Sequence, residues 1–286
     1  MPSAVALVGT LIGGTLMAGS HAVIGFIITM ASNIIASAWS NAIAKRKKED
    51  DTVTAGTRTN TRTTQAYYGL AYGKVRIGGN DVFIDTIGKH NKHLWIVQVL
   101  GEGECDSIQN AYINDKSLYP TNDGFGDDAE FYFHNGSGTQ TVDTHLQDAV
   151  GSDVWDDNLI HTTYIVWHFQ YDSDKFSGLP QRSVVINGLK LYDFRTGVTQ
   201  WSNNIVLCLY DYLTNTRYGV GIDPEIIDYD SWKTTADYVD DKGWTYNRYI
   251  TGDMSSQDII DDMLMHCLLY TSPSPRDLST SRMPSS

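Results

Sequence analysis

Residues 94–100, LWIVQVL, form an uninterrupted apolar run in which only Gln98 is polar. A run of this length without alternation is typical of a β-strand that is buried on both faces. Residues 162–171, TTYIVWHFQY, have the same character, and residues 111–113 form a shorter run. These segments predict a β-rich core between about residues 65 and 200.

Two glycine-containing motifs interrupt the apolar segments of this region. Gly78-Gly79-Asn80 lies between one pair of apolar segments, and Asn187-Gly188 lies between another pair. Both motifs are typical of tight turns, so we predict a β-hairpin at each of them. Residues 120–158 are rich in Asp, Gly and Asn. We expect them to form an insertion that leaves the sheet, with a short helix near residues 144–150.

From about residue 201 the apolar residues follow a helical spacing. Residues 205–213 can line one face of a helix for which Ser202 is a suitable N-cap, and residues 231–241 predict a second helix. Ser255 and Asp258 have the spacing of a capping box, which predicts a third helix after them. The chain is therefore predicted to be α+β, with a β-rich hub domain at residues 65–200 followed by a small, mainly helical α+β region at residues 201–267 that is expected to be truncated.

The first 44 residues differ sharply in composition from this body. Residues 4–44 are rich in Gly and Ala and contain no Lys, Arg, Asp or Glu, so residues 1–44 predict an apolar helical segment. Three interpretations stay open: a transmembrane or re-entrant hairpin, a signal peptide, and a helix pair buried in a large assembly. A signal peptide fits poorly because the basic run at residues 45–48 follows the apolar stretch.

Two further segments are predicted to lie outside the folded body. Residues 45–64, KRKKEDDTVTAGTRTNTRTT, read as an exposed linker whose basic residues can also contact anionic lipid. Residues 268–286, LLYTSPSPRDLSTSRMPSS, resemble a recurrent ending of reading frames from metagenomic assemblies that run into adapter-derived sequence. We expect this tail to be non-native and the natural protein to be longer, with an ordinary disordered tail as the alternative.

Charge and cysteine content restrict the partners and the compartment. The formal net charge of −13 argues against nucleic-acid recognition, since phosphate binding requires a cationic surface. The three cysteines, Cys105, Cys208 and Cys267, are odd in number and contain no CxxC pair, so we expect reduced, mostly buried thiols and assembly in a cytosol.

The sequence offers no convincing catalytic or ligand-binding motif. The glycine motifs lack the residues of phosphate or dinucleotide loops, and the acidic segment 123–130 lacks the ligand spacing of a calcium loop. The eight histidines are scattered, and His161 and His168 are expected on opposite faces of a strand. We therefore predict a protein that is not an enzyme, with no catalytic, cofactor-binding or metal residues and no cofactor. Trp155, Trp201 and Trp232 are candidate partner contacts that the sequence does not distinguish from core positions.

Several blocks occur in an order that is more specific than any one of them. Residues 67–266 resemble the tail-tip attachment proteins of lambda-like siphophages, the J-protein family, through YGKVRIGG at 72–79, LGEGE at 100–104, YIND at 112–115, YDSDKFSGLP at 171–180, NGLKLYDFRTG at 187–197, WSNN at 201–204 and the helix at 207–213. Phe194 and Cys105 depart from the family pattern, which often has Pro and a β-branched residue there. In the block at 187–197, Asp193 and Arg195 are predicted to form an ion pair or to contact a partner.

The resemblance implies a structural role in the virion. Such proteins form a homotrimeric central tail hub that closes the tail tube, contacts the distal tail protein and the tape-measure protein, and carries the receptor-binding domains used in attachment and DNA delivery. It implies a location at the tail tip after assembly in the host cytoplasm, and it leaves residues 4–44 as a hub-interior or host-membrane-contacting element. The alternative is a membrane-anchored bacterial surface or secretion-apparatus binding protein that uses residues 22–39 as its anchor.

Overall fold

The computed structural model describes residues 60–61, 68–176 and 178–268, except for the side chains of Cys267 and Leu268. The apolar segment 4–44, most of the linker at 45–64 and residues 269–286 lie outside the described residues, so the expectations for them stay predictions. In the described part of the chain, no helix is both long enough and apolar enough to span a lipid bilayer.

The described residues form eleven strands and four α-helices. The strands are β1 Leu70–Tyr72, β2 Lys74–Ile77, β3 Asn80–Ile87, β4 His93–Glu102, β5 Cys105–Ile113, β6 Lys116–Tyr119, β7 Ala129–Asn135, β8 Thr162–Gln170, β9 Arg182–Asp193, β10 Val198–Trp201 and β11 Arg248–Ile250. The helices are α1 Thr144–Val150, α2 Ile205–Thr214, α3 Tyr229–Lys242 and α4 Ser256–Leu268. Strands come first and most helices follow, which confirms the predicted α+β class.

A four-stranded antiparallel sheet in the order β3-β4-β8-β7 contains the two long apolar runs at its centre. One face contributes Ile96 and Trp167 to the main hydrophobic core. The other face contributes Trp95 and Val97 to a second core, which Leu146 of α1 covers. Both central strands are therefore buried on both faces, as predicted, because α1 packs over the sheet. The expectation that residues 120–158 leave the sheet is wrong for residues 129–135, because β7 pairs with β8 along its whole length and forms an edge of the sheet.

The second large sheet is built around the long strand β9. Its order is β10-β9-β5-β6. On the edge of β9 opposite β5, β2 pairs with the first half of β9 and β10 pairs with the second half. β1 and β11 form a separate two-stranded sheet. One core joins these strands to the four-stranded sheet and the helices, and it includes Ile113, Ile165, Trp167, Ile186, Leu207 and Val239.

The hairpin predicted at Gly78-Gly79-Asn80 is wrong. β2 pairs with β9 and β3 pairs with β4, so the turn carries the chain from one sheet to the other. Gly79 has a φ of 65°, and a Cβ there would lie 2.6 Å from the Val99 carbonyl oxygen. Gln98 donates from its amide to the Gly78 carbonyl and accepts from the Trp167 indole at 2.7 Å. Glycine is required at this crossing for close packing and for its backbone conformation.

The hairpin predicted at Asn187-Gly188 is also wrong, because β9 continues through both residues. A Cβ on Gly188 would lie 1.9 Å from the Ala71 carbonyl oxygen, and the Gly188 amide donates to the Gly73 carbonyl at 2.7 Å. This glycine therefore permits the close approach of β1. The hairpin connects β9 to β10 instead, and Gly197, with a φ of 74°, lies in its turn.

Side-chain caps begin α1, α2 and α4, whereas Asp228, the N-cap residue of α3, makes no side-chain capping hydrogen bond. The predicted cap of α2 is corrected. Asn204, not Ser202, caps α2, since its side-chain oxygen accepts from the amides of the next turn, at 2.9 Å from Val206. The capping box before α4 is confirmed: Asp258 N donates to Ser255 Oγ, and Ser255 N donates to Asp258 Oδ2, both at 3.2 Å.

Candidate interaction surface

Aromatic side chains cluster where the β9–β10 turn meets α2 and α3. The Phe194 ring centroid lies 5.0 Å from that of Tyr210 and 5.8 Å from that of Tyr229, and Tyr210 lies 6.0 Å from Trp232. The hydroxyls of Tyr210 and Tyr229 are 2.9 Å apart. Burial and this hydrogen bond raise the pKa of Tyr210, so its hydroxyl stays protonated at neutral pH. The cluster is a rigid, uncharged platform.

Part of this platform faces solvent. Tyr192 and Ile226 are each 46% exposed, and Tyr229 is 40% exposed. With Phe194 they form what we call the α3 surface. Tyrosine and phenylalanine are enriched in protein interfaces because they supply a large contact area with few rotatable bonds. Of the three tryptophans considered from the sequence, Trp232 is buried beneath this surface, and Trp155 and Trp201 are partly buried.

Arg195 holds the turn against α3. The predicted ion pair with Asp193 is present, at 2.8 Å between Nη2 and Oδ2. Arg195 also donates from Nη1 to Asp240 at 2.6 Å and to Asp237 at 3.0 Å, both of which belong to α3. The hydrogen bond from Arg195 lowers the pKa of Asp193 although burial opposes this shift. A single guanidinium therefore fixes the geometry of the α3 surface.

The border of the α3 surface is acidic. Residues 223–230, DPEIIDYD, carry four exposed carboxylates and no basic residue. None of the four forms an ion pair with another described residue, in contrast to Asp237 and Asp240, which face Arg195. The surface therefore combines exposed aromatic area with four exposed carboxylates, at Asp223, Glu225, Asp228 and Asp230, that form no ion pair with a described residue.

Histidines that are scattered in the sequence meet on the outer face of the four-stranded sheet. His93 Nδ1 lies 3.0 Å from His168 Nε2, and the His168 ring stacks on Trp95 at 4.4 Å between centroids. Tyr132 and His145 stack farther along the same face, at 3.8 Å. Sequence spacing could not reveal this row, because its members come from β4, β7, β8 and α1, which are brought together only by strand pairing.

A second histidine contact fastens α1 to this sheet. His134 Nε2 lies 2.7 Å from Asp143 Oδ2, while Asp143 Oδ1 accepts from the Leu146 amide at 2.7 Å and so caps α1. Burial disfavours the charged form of Asp143, but the hydrogen bonds from His134 and Leu146 outweigh it, so the pKa of Asp143 is lowered. The pair is best explained as an anchor for the insertion.

These groups do not converge as a reaction centre or a metal site would require. Glu130 approaches the Nδ1 side of His168 at 3.5 Å, whereas His93 contacts the Nε2 side, so the three do not face one point. Among the described residues, no group of three or more His, Cys, Asp or Glu could hold a metal ion. Burial raises the pKa of Cys105 to about 12, which keeps this thiol protonated and a poor nucleophile.

Comparisons with known proteins give little guidance. No protein-family model matches the chain, and no curated protein matches it. A solved structure described as "Virion of native gene transfer agent (GTA) particle" contains a similar chain, with 11% sequence identity and a TM-score of 0.47. The similarity covers 90% of this chain and 60% of that one. This chain thus spans less than two thirds of the matched chain, and at these values the similarity does not show a family.

Proposed function

We propose that this protein is a structural component of a phage-like virion and that it forms part of the central hub of a tail tip. One observation carries the proposal. The sequence blocks at 187–197 and 207–213, which resemble the tail-tip attachment family, supply Tyr192 to the α3 surface, Arg195 to the ion pairs that join the β9–β10 turn to α3, and Tyr210 as the buried ring that packs against Tyr229. Residues of the resemblance thus meet in one place, and that place has the composition of a binding surface.

The physical demands of a tail hub fit this arrangement. A hub must bind copies of itself and tube proteins without changing shape. Each mobile side chain that becomes fixed on binding costs free energy and therefore weakens association. The Phe194 and Tyr229 rings of the α3 surface pack against each other and against Tyr210, so they lose little rotational freedom on binding. The central strands, buried on both faces, supply the rigid support.

The proposal includes partners that the resemblance implies. We propose a homotrimer that contacts the distal tail protein and the tape-measure protein, located at the tail tip of the virion after assembly in the host cytoplasm. Residues 4–44 are proposed as a hub-interior or membrane-contacting element at DNA delivery. We propose no enzymatic activity for the described domain, because its histidines and buried thiols serve packing and anchoring.

The test is co-assembly of the full chain with the products of its neighbouring genes. Purified protein is examined by size-exclusion chromatography with light scattering and by co-purification with the distal tail and tape-measure proteins. We expect a trimer that retains the distal tail protein, and we expect Tyr229→Ser to weaken self-association by about tenfold or more. Tyr171→Ser, at an exposed tyrosine beyond the end of β8, is the matched control and should have no effect.

Two results would overturn the proposal. One is a monomer that binds a nucleotide or a metal ion stoichiometrically. The other is equal self-association of the parent and the Tyr229→Ser variant, provided that circular dichroism shows both to be folded.

A further inference from the structure

The acidic border of the α3 surface is the feature that a partner must match. Asp223, Glu225, Asp228 and Asp230 lie within eight residues and none is neutralised by a described basic side chain. Like charges at this density repel one another and favour a cationic partner. The exposed rings of Tyr192 and Tyr229 beside them favour the same partner, since Lys and Arg pack their stems on aromatic rings and place their charge near the ring face.

The chain itself contains one segment of the required chemistry. Residues 45–48, KRKK, are its only four consecutive basic residues, while the chain beyond residue 62 has 15 basic and 31 acidic residues. Four cations in a row match the number of carboxylates at the border of the surface. We infer that the basic run at residues 45–48 of one copy binds the α3 surface of a neighbouring copy. This inference rests on the homo-oligomeric assembly proposed above.

The position where the described chain begins favours a neighbouring copy over the same copy. Asn60 binds the backbone of Arg182, at the first residue of β9, with hydrogen bonds of 2.9 and 3.0 Å. The α3 surface lies beyond Asp193, at the other end of the strand, which is about 36 Å away at 3.3 Å per residue. Residue 48 is separated from Asn60 by twelve residues of chain, which span at most about 43 Å when fully extended.

If the basic run bound the α3 surface of its own copy, the chain between residue 48 and Asn60 would have to be almost fully extended. Little of its length would then be left for a path around the domain. A fully extended chain has lost nearly all of its conformational freedom, which makes such a closure unfavourable. A neighbouring copy in a closed ring carries no such restriction, because the distance then depends on the ring geometry. The arrangement would link each copy to the next around the hub.

Charge reversal on both sides of the contact tests the inference in the full chain. One variant reverses the basic run (Lys45→Glu, Arg46→Glu, Lys47→Glu, Lys48→Glu), one reverses the border (Glu225→Lys, Asp230→Lys), and a third combines them. Asp223 and Asp228 are kept because their side chains accept local hydrogen bonds. Self-association is measured by sedimentation equilibrium at 50 and 500 mM NaCl.

We expect each single-sided reversal to weaken self-association at low salt by about tenfold, and the combined variant to recover most of the loss. High salt should weaken the parent and abolish the difference between variants. Asp153→Lys with Asp156→Lys, at exposed positions of the insertion, changes the net charge as much as the border variant and should leave association unchanged.

Three outcomes contradict the inference. Association that is unaffected by both reversals removes the contact with the basic run but leaves the hub proposal intact, because another segment of the neighbouring copy can then contact the rings of the α3 surface. Loss in both single variants without recovery in the combined variant shows that the two segments do not face each other. Loss of binding to vesicles containing anionic lipid on reversing the basic run, with self-association unchanged, assigns that run to a membrane instead. A protein that is monomeric under all conditions contradicts the hub proposal itself.

Discussion

Arg182 of β9 and Asp81 of β3 form an ion pair that is closed off from solvent, at 2.6 Å between Nη2 and Oδ2 and with side chains 0% and 1% exposed. Each residue belongs to a different large sheet, so the pair joins the two sheets beside the Gly78-Gly79 crossing. Burying two charges costs desolvation energy that their attraction only partly offsets. The benefit is positional, because only one placement of the sheets brings the two charges together.

We expect Asp81→Asn to lower the free energy of unfolding by about 3–5 kcal/mol, since it removes the carboxylate charge opposite a buried guanidinium. The double replacement Asp81→Leu with Arg182→Met should lower the free energy of unfolding by less than the single change does. Urea denaturation measures both. Lys190→Met is the control, because it breaks an ion pair with Glu104 in which both side chains are partly exposed, and it should cost under about 1 kcal/mol. If the double variant is less stable than Asp81→Asn, the ion pair contributes net stabilising free energy and does not only fix the position of the sheets.

Gly188→Ala should be strongly destabilising, because its Cβ would overlap the Ala71 carbonyl oxygen at 1.9 Å. We expect the free energy of unfolding to fall by about 3 kcal/mol or more, which is at the upper end of what overpacking in a core usually costs. Gly197→Ala is the matched control: no atom lies within 4 Å of its added Cβ, so only its φ of 74° costs energy, about 1 kcal/mol. Equal losses at both sites would mean that Asn187-Gly188 is a turn after all.

Sequence periodicity identified the two central strands of the four-stranded sheet but missed β7, which lies in the segment that was expected to leave the sheet. The runs at 94–100 and 162–171 occupy the centre of one sheet, and the helix near residues 144–150 is α1. Their signals are local, because burial on both faces demands a continuous apolar run and a helix demands a cap within a few residues.

Pairing between strands could not be predicted in the same way. Gly78-Gly79 and Asn187-Gly188 look alike as turn motifs, yet one carries the chain between sheets and the other lies within β9. What distinguishes them is the close approach of a distant strand, such as Ala71 against Gly188, and that contact leaves no local pattern. The α3 surface escaped prediction for the same reason, since the side chains of Phe194 and Tyr229 meet only after the helix packs against the turn.

Arg195→Met should loosen α3 from the β9–β10 turn. The guanidinium contacts Asp193, Asp237 and Asp240 together, so its loss should cost about 1–3 kcal/mol. Arg195→Lys should restore less than half of the stability that Arg195→Met loses, because one ammonium group cannot bind three carboxylates in that geometry. Hydrogen exchange of the α3 amides, together with urea denaturation, measures the effect.

Arg217→Met is the control for Arg195, since it removes an ion pair with Glu102 at a half-exposed position and should leave α3 exchange unchanged. Accelerated exchange in α3 should accompany a loss of binding at the α3 surface. Faster exchange spread evenly over the whole chain would instead assign Arg195 to global stability.

The row of rings on the four-stranded sheet should make stability depend on pH near neutrality. Burial lowers the pKa of His168, and the nearby His93 acts in the same direction, while Glu130 opposes both. Trp95 covers the ring by stacking. A histidine whose pKa is depressed by folding stabilises the protein fully above its unfolded value of about 6.5, and this contribution is lost as the pH falls through the folded pKa.

We therefore expect the free energy of unfolding to fall between pH 7.5 and 5.5, and to fall less in His168→Gln, which does not titrate. The comparison uses the difference between parent and variant, because buried carboxylates such as Asp211, whose pKa is raised by burial, add an opposite trend to both proteins. His90→Asn, in an exposed turn with a φ of 60° that asparagine tolerates, should retain the dependence of the parent. If His168→Gln follows the pH profile of the parent, the protonation that destabilises the fold occurs at another residue.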